Sequence, residues 1–153
     1  MSNLDAVDRS LVLALQSDAR QTNRALASRV GVAPSTSLER VRDLERRGVV
    51  TGYGAEVDLT ALGRPVQAMV AVRFRPKTNE VTTRFVEAMW ELPQVLSVTL
   101  LTGVDDALVH LAVSSVDELR TLVLDRVARA PGVVDERTSL VFEHRRRRVV
   151  EPA

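Results

Sequence analysis

Residues 21–48 read QTNRALASRVGVAPSTSLERVRDLERRG, and this stretch decides the fold of the first third of the chain. Gly31 lies between two runs of helix-forming residues, where its tolerance of positive φ allows a tight turn. Pro34 suits the first turn of the second run, because the N–H that proline lacks is not used there, and Gly48 suits its end. Two short helices joined by a tight turn predict a helix-turn-helix, a device that places its second helix in the major groove of DNA.

Apolar residues in and before this stretch recur at the three- and four-residue spacing of helices. A helix that begins at Asp5 precedes it, and Thr22 or Asn23 can cap the next one. The three helices are predicted to share a small core. Its residues are Val7, Leu11 and Leu15 from the first helix, Leu26, Ala27 and Val30 from the second, and Leu38, Val41 and Leu44 from the third.

The third helix carries a row of arginines on the side that its apolar residues leave for the outside. One interpretation is a solvated face on which these arginines pair with Glu39, Asp43 and Glu45. The preceding turn and proline favour DNA instead, because side chains near the start of such a helix reach base edges while others contact phosphates. The predicted DNA-binding residues are Arg24, Ser35, Thr36, Ser37, Glu39, Arg40, Arg42 and Arg46.

The composition narrows the class of protein. The 153 residues are 45% apolar and 27% charged, and none is cysteine, which excludes disulfides and thiolate metal sites. The amino terminus lacks the pattern of a signal peptide and no apolar run is long enough to span a bilayer, so we expect a cytoplasmic protein and no membrane partner. The net charge of +1 is unevenly spread, with basic ends and an acidic middle.

After residue 65 the apolar spacing changes from helical to alternating. The alternation from Val66 to Phe74 predicts a strand, and a helix, two strands around a turn at 103–105, a second helix and a last strand follow. This order predicts a four-stranded antiparallel sheet with both helices on one face. The predicted apolar stripes of the two helices are Val81, Phe85, Ala88, Met89 and Leu92, and Val116, Leu119, Val123, Val127 and Ala130.

We therefore predict an α+β chain with four segments. Residues 1–50 form a helix-turn-helix DNA-binding domain, and residues 51–65 form a linking strand, or wing, and a hinge. Residues 66–143 form a domain of βαββαβ order, which is the order of a ferredoxin-like fold. Residues 144–153 form a basic tail, interpreted as solvated and disordered, with nonspecific attraction to phosphate as the alternative.

The face of the sheet that the helices leave open carries Met69, Ala71 and other modest side chains. Such a face is too apolar for free solvent and usually packs on a second copy. We therefore expect a homodimer through the sheet faces.

Six motifs are spread over nearly the whole chain: LDAVDRSLVLALQSDAR at 4–20, APSTSLERVRDLERRGVV at 33–50, TGYGAEVD at 51–58, LGRP at 62–65, TGVDD at 102–106 and PGVVDERTSLVF at 131–142. In this order and spacing they resemble the motifs of the Lrp/AsnC (feast/famine) family of bacterial and archaeal transcription regulators. The resemblance implies a winged helix-turn-helix joined to a ferredoxin-like (RAM/ACT-like) domain at residues 66–143, which serves effector binding and oligomerisation and binds amino acids. It also implies dimers that often assemble into octamers or similar rings.

This chain departs from the family pattern at three places. Ala33 stands where the family usually has a capping serine, and Glu39 where it often has a basic or polar residue that faces the groove. In the TGVDD turn, Val104, Asp105 and Ala107 replace commoner residues. These differences leave the operator sequence and the effector open.

In the fold that the resemblance implies, the TGVDD turn lies at a sheet edge where dimers can meet. Gly103 permits close approach of a ligand, free amides there can hold a carboxylate, and Asp105 or Asp106 can hold an ammonium. A glycine turn that merely joins two strands is the competing interpretation. The predicted effector-binding residues are Thr99, Leu101, Thr102, Gly103, Val104, Asp105, Asp106, Thr138 and Ser139.

These features favour a transcription regulator that binds specific double-stranded DNA and responds to an amino acid or related metabolite. The alternative is a nucleoid-associated architectural protein with little effector response. An enzyme is not expected, because the sequence shows no nucleophile–base pair, phosphate loop or metal-ligand spacing. His110 and His144 are far apart in sequence and predict no metal site, no cofactor is expected, and Trp90 is interpreted as a packing residue.

Overall fold

The computed structural model describes residues 4–152, and it divides into two compact units. The first contains the chain up to Ala55 together with the segment from Arg145 onward, and the second is Glu56–His144. Positions 1–3 and 153, the outer ends of the predicted DNA-binding domain and basic tail, lie outside the described residues.

Three helices form the first unit. Asp5 caps the first of them by accepting a hydrogen bond from the N–H of Asp8 at 2.8 Å, and Thr22 caps the second through the N–H of Ala25 at 3.2 Å. Their shared core is built on Leu11, Ala14, Leu26 and Leu44, with Val7, Leu15, Val30 and Val41 packed around it. The helices are α1 (Ala6–Ser17), α2 (Asn23–Val30) and α3 (Pro34–Arg46).

The turn between α2 and α3 has the predicted backbone conformation. Gly31 adopts a φ of 75°, in the left-handed region, and Gly48 after α3 has a φ of 69°. Pro34 starts α3, and Ala33 before it makes no side-chain cap, as its methyl group requires. These local predictions are confirmed because each depends on one residue and its immediate neighbours.

The inner face of α3 differs from the prediction. Ser37, which we expected on the DNA side, is fully buried, whereas Leu38, which we expected inside, is 40% exposed. At about 100° per residue, positions 37, 41 and 44 fall within an arc of about 60°, and position 38 lies about 100° from position 37. Ser37 therefore belongs to the centre of the buried stripe.

The predicted wing or linking strand is absent. Between α3 and residue 66 the described chain contains turns but no strand. Gly52 and Gly54 weaken strand formation there, and a strand needs a neighbouring strand to pair its backbone groups. Tyr53 instead donates its hydroxyl to Oε1 of Glu45 at 2.8 Å, and partial burial, together with that carboxylate, raises the pKa of Tyr53 to about 12.

The second unit has the predicted order of elements. Its four strands pair antiparallel in the order β2-β3-β1-β4, the arrangement of a ferredoxin-like sheet. A π-helical turn at Val123–Val127 extends the second helix of this unit. The elements are β1 (Val66–Phe74), α4 (Asn79–Trp90), β2 (Val95–Leu100), β3 (Ala107–Val113), α5 (Val116–Leu122) and β4 (Val133–Leu140).

Both helices of this unit pack on one face of the sheet. Alternate residues of β1 are buried there, and Phe74 meets Phe85 of α4 edge to face with ring centroids 4.9 Å apart. Two packing predictions are wrong, since Trp90 is 66% exposed and Val116 is 57% exposed. Both lie at helix ends, where the chain turns away from the core.

Candidate DNA-contacting helix and effector site

The exposed face of α3 presents polar side chains near the start of the helix. Ser35, Glu39 and Arg42 are exposed, and Thr36 is half-buried. Asn23 of α2 donates its side-chain amide to the carbonyl of Pro34 at 2.7 Å, which fixes the start of α3 against the preceding helix. This face can reach base edges in a major groove in the manner of a recognition helix.

Arg40 does not join this exposed face. Its guanidinium forms ion pairs with Asp5 and with Asp8, the second at 3.0 Å, and so joins α3 to the start of α1. The backbone N–H of Asp8, followed by the Arg40 guanidinium, holds the pKa of the Asp5 carboxyl below its usual value. Arg40 therefore stabilises the packing of α3 on α1 through ion pairs, which the sequence pattern did not predict.

Asp8 is the centre of this ion-pair cluster. It is only 4% exposed, and it meets Arg40 on one oxygen and Arg47 on the other, at 3.0 and 3.3 Å. Arg47 also pairs with Asp43 at 2.9 Å. A buried carboxylate is stable only when it is paired, so these arginines fix the rotation of α3 about its axis.

The remaining predicted DNA contacts lie on the outside of the helical unit. Arg24 and Arg42 are exposed and form no ion pair within residues 4–152. Arg46 is exposed at the carboxyl end of α3, although it also pairs with Asp43. Of the eight predicted residues, only Ser37 is enclosed and only Arg40 is directed to another helix.

The turn between β2 and β3 is closed by its own backbone. The N–H of Leu101 donates to the carbonyl of Asp106 at 2.8 Å, and Gly103 has a φ of 138°, which favours glycine. Leu101, Thr102, Gly103 and Val104 are exposed, so the tip of this turn is open to a ligand.

Both carboxylates of the turn already have a cation beside them. Asp105 accepts two hydrogen bonds from Nη2 of Arg137, at 2.5 and 2.7 Å. Asp106 pairs with Lys77 at 2.6 Å and accepts from the N–H of Phe74 at 2.8 Å. The Lys77 ammonium and then this N–H lower the pKa of the Asp106 carboxyl. Asp106 thus holds the end of β1, and Asp105 is the more accessible partner for a ligand.

The sheet register separates two of the predicted effector residues. Thr138 pairs with Val70, whose side chain is in the core, whereas Ser139 pairs with Met69 on the open face. Since adjacent strand residues point to opposite faces, Thr138 and Ser139 do not line one pocket. Thr99 lies on the open face with Ser139, because it pairs with Leu108, the partner of Ala71.

Arg137 lies at the candidate effector site, although the sequence pattern did not predict it there. It pairs with Ala71 in the register, so it lies on the open face, and its guanidinium reaches the turn at Asp105. Only the register of β4 against β1 could have placed it, and the sequence pattern does not specify that register. Its position adds a cation beside the predicted ammonium-binding carboxylate.

The two histidines, separated in sequence, meet on the open face. Their ring centroids are 5.1 Å apart, and Nε2 of His110 lies 3.0 Å from Oε1 of Gln67. Burial, with a smaller effect of His144, lowers the pKa of His110. Within residues 4–152 no three His, Cys, Asp or Glu side chains come close enough to hold a metal ion.

Over residues 4–152, none of the helices combines the length and the apolar character that crossing a bilayer requires.

Two family descriptions match this chain. Residues 4–45 match the AsnC-type helix-turn-helix domain, and residues 67–150 match the Lrp/AsnC ligand binding domain. The first match contains α1, α2 and nearly all of α3, and the second contains the whole sheet except Val66, the first residue of β1.

Relatives cover nearly the whole chain. The HTH-type transcriptional regulator AldR of Mycobacterium tuberculosis is 38% identical over 145 residues, which are 95% of this chain and 81% of that protein. The leucine-responsive regulatory protein of Escherichia coli is 34% identical over 141 residues, which are 92% and 86% of the two chains.

Solved structures agree with these relatives. A transcriptional regulator of Neisseria meningitidis in complex with L-methionine superposes with a TM-score of 0.87 at 29% identity, over 99% of this chain and 97% of that one. Sequence and structure thus lead to one conclusion, and this chain belongs to the Lrp/AsnC family of transcriptional regulators.

Proposed function

We propose that this regulator reads operator DNA through the exposed face of α3 and responds to an amino acid, or a related small metabolite, at the turn 101–106. The observation that supports this proposal is that one chain contains both a helix-turn-helix, whose polar third helix is held to α1 by the Arg40–Asp8 ion pair, and a region that matches a ligand-binding domain. The DNA contact belongs to the first unit and the effector contact to the second. The chain would respond by changing how copies of α3 are spaced on DNA.

The base-reading residues in this proposal are those on the exposed start of α3. Ser35, Thr36 and Glu39 supply hydrogen-bonding groups, and a carboxylate such as Glu39 can accept from the amino group of cytosine. Arg42 extends the same face, and Arg24 and Arg46 supply phosphate contacts. Arg40 contributes by holding α3 in place, and Ser37 contributes no contact with DNA.

The DNA contact can be tested with Arg42→Ala and, as a matched control, Arg120→Ala on α5 of the second unit. Both arginines are exposed helix residues without an ion pair among the described residues. We expect Arg42→Ala to weaken operator binding by about 5- to 150-fold if its contact is bidentate to a base, and Arg120→Ala to leave it unchanged. Equal binding by the two variants in gel-shift titrations would contradict this assignment.

Footprinting separates this function from that of an architectural protein. Paired half-sites spaced by about 34 Å, one helical turn of DNA, are expected for a dimeric reader of a specific operator. Continuous protection without preferred positions would favour the architectural alternative.

The effector proposal is supported by the charges at the turn. A free α-amino acid carries an ammonium and a carboxylate, and the Asp105–Arg137 pair offers one partner for each. Opening that pair around the ligand would exchange one ion pair for two. The exposed tip at Gly103 leaves backbone room for the ligand, with Thr99, Leu101, Thr102 and Val104 as nearby contacts on the turn and the strand before it.

A thermal-shift screen of the standard amino acids tests the effector, because a ligand bound to the folded state raises its melting temperature. Asp105→Asn should abolish the shift given by the active amino acid. Asp125→Asn, which breaks an exposed pair with Arg129 on the helix side, is the matched control and should keep it. No shift with any standard amino acid would contradict the amino-acid form of the proposal.

The oligomer proposed is a dimer through the open face of the sheet, assembling further to an octamer or a similar ring. Met69, Ala71 and Leu108 are half-buried on that face and offer apolar area to a second copy. The effector turn borders the same face through Arg137, so ligand binding would act where copies meet.

A further inference from the structure

The basic segment after β4 belongs to the helical unit. Arg145, Arg146, Arg147 and Arg148 are consecutive and exposed, and the chain from Arg145 onward groups with α1, α2 and α3. The prediction of a disordered tail is therefore wrong for residues 145–152. The segment returns to the unit that contains the recognition helix.

Two sets of hydrogen bonds hold this segment on α1. The side-chain amide of Gln16 donates to the carbonyl of Val150 at 2.9 Å and accepts from its N–H at 2.8 Å. Arg9 donates through Nη1 to the carbonyl of Pro152 at 3.3 Å. Val149 and Pro152 are half-buried beside these contacts. A loosely solvated tail would not satisfy both backbone groups of one residue with one side chain.

The order of these contacts fixes the direction of the segment. Val150 lies at Gln16, and Pro152 lies at Arg9, about two helical turns nearer the start of α1. The segment therefore runs antiparallel to α1, and the arginines that precede Val150 reach the helix from its carboxyl end. An extended chain covers about 3.3 Å per residue, so Arg148 lies within about 7 Å of Val150.

The carboxyl end of α1 lies on the same end of the helical unit as the start of α3. The next helix begins at Asn23, whose side chain contacts the carbonyl of Pro34 at the first residue of α3. The order of the elements thus brings the arginine run to the end of the unit where α3 begins. A cationic segment at that position is complementary to the phosphate backbone beside a groove that α3 enters.

We propose that residues 145–148, held on α1 by Gln16, form a second phosphate-contacting surface of the DNA-binding unit. This inference rests on the proposed DNA function and adds a contact outside the helix-turn-helix. The occupant is the phosphate backbone of double-stranded DNA, so the contact raises affinity for operator and unrelated duplexes alike, because phosphates carry no sequence information.

The salt dependence of DNA binding measures this contact directly. Each phosphate contact steepens the fall of log K with log salt by about 0.9. If two of the four arginines contact phosphates, the slope of log K against log salt for R145Q/R146Q/R147Q/R148Q should be shallower by about 1.8. Between 50 and 200 mM salt, wild-type affinity should then fall about tenfold more than the affinity of this variant.

A matched variant corrects for the change in net charge. Arg84, Arg120, Arg126 and Arg129 are exposed on the helix side of the second unit, and R84Q/R120Q/R126Q/R129Q removes the same charge. For this control variant, the slope of log K against log salt should stay near the wild-type value. Gln16→Ala provides a second test, because it releases Val150 and leaves the arginines intact. We expect it to weaken operator binding about threefold or more, since the segment must then be ordered on binding.

The outcomes distinguish this inference from the function on which it rests. A wild-type chain that binds no duplex overturns both. If the wild type binds the operator and the tail variant shows the same salt slope, the tail contact alone is overturned. The tail contact is also overturned if the salt slope falls equally in the two quadruple variants. A tail variant that changes only the sedimentation coefficient assigns the segment to a second copy and also overturns it. Melting temperatures of all variants verify that each is folded.

Discussion

The hydroxyl of Ser37 faces the interior of the helical unit without a hydrogen-bond partner among residues 4–152. A buried hydroxyl left unpaired costs roughly 1–3 kcal/mol. We expect Ser37→Ala to raise the free energy of unfolding by about 1 kcal/mol, since alanine removes the hydroxyl and is the better helix former. Urea unfolding followed by circular dichroism measures the change.

Ser35→Ala is the control for this substitution, because Ser35 is an exposed neighbour on the same helix. Its effect should remain within about 0.5 kcal/mol. A loss of stability in Ser37→Ala would show instead that the hydroxyl has a partner in solution, which contradicts the buried, unpaired state.

His110 gives the fold a dependence on pH. Burial and His144 lower the pKa of this imidazole below its ordinary value of 6.5. As the pH falls through 6.5, the unfolded chain takes up a proton that the folded imidazole resists, so stability is lost toward acid. More than about one pH unit above 6.5 the contribution of His110 no longer changes, because both states then hold the neutral ring.

We expect His110→Gln to flatten the stability curve between pH 7.5 and pH 5.5 relative to the wild type, as measured by urea unfolding at each pH. His144→Gln serves as the comparison and should flatten it less, because His144 is exposed and only adds to the shift at His110. Parallel curves for the wild type and His110→Gln would contradict a buried neutral imidazole.

Single residues show where the sequence was informative and where it was not. Gly31, Pro34 and Gly48 were assigned correctly because backbone preference depends on the residue itself. Ser37 was predicted to be exposed and Leu38 to be buried, and the structure shows the opposite. An apolar pattern assigns the buried side to leucine, whereas helix geometry centres the buried stripe on position 37. Such choices are decided by packing against other helices, which one sequence does not display.

Among the elements, α3 begins without a side-chain cap. Ala33 has the extended backbone of an N-cap residue, with φ −67° and ψ 147°, but its methyl group accepts no hydrogen bond. We expect Ala33→Ser to raise the free energy of unfolding by about 1 kcal/mol, because the hydroxyl can accept from a free N–H in the first turn. Chemical denaturation of the full chain measures this gain.

Ala25→Ser in α2 is the matched substitution. Ala25 is exposed, and its N–H already has a partner in Thr22. Serine there should lower stability by about 0.5 kcal/mol, because it is the weaker helix former inside a helix. If both substitutions shift stability in the same direction, capping at Ala33 is not the cause.

The elements also differ in how far the sequence specified them. Helices were predicted well because caps and periodicity are local signals, and the order of the four strands followed from the alternation of strand and helix patterns. The linking strand expected in the segment 51–65 did not form, because a strand depends on a partner strand that the sequence pattern does not specify. For the same reason the register of β4, which brings Arg137 to Asp105, became visible only in the folded sheet.

At the scale of the whole molecule, the open face of the sheet is the proposed contact between copies, and it borders the proposed effector turn. Met69 and Ala71 are half-buried at the middle of that face, and Arg137, the partner of Ala71 in the register, contacts the effector turn. A second copy packed on this face would bury the apolar residues beside the Asp105–Arg137 pair. A ligand that opens the pair would therefore act on the contact between copies.

We expect Met69→Arg to convert the proposed dimer to a monomer at micromolar concentration, because the substitution places a cation among the apolar residues of the proposed contact. Analytical ultracentrifugation reports the change. Leu124→Arg is the matched control, since Leu124 is half exposed on the helical side of the same unit, and it should leave the dimer intact. If the wild type sediments as a dimer and both variants do the same, copies meet through another surface; if the wild type sediments as a monomer, the proposed dimer is contradicted directly.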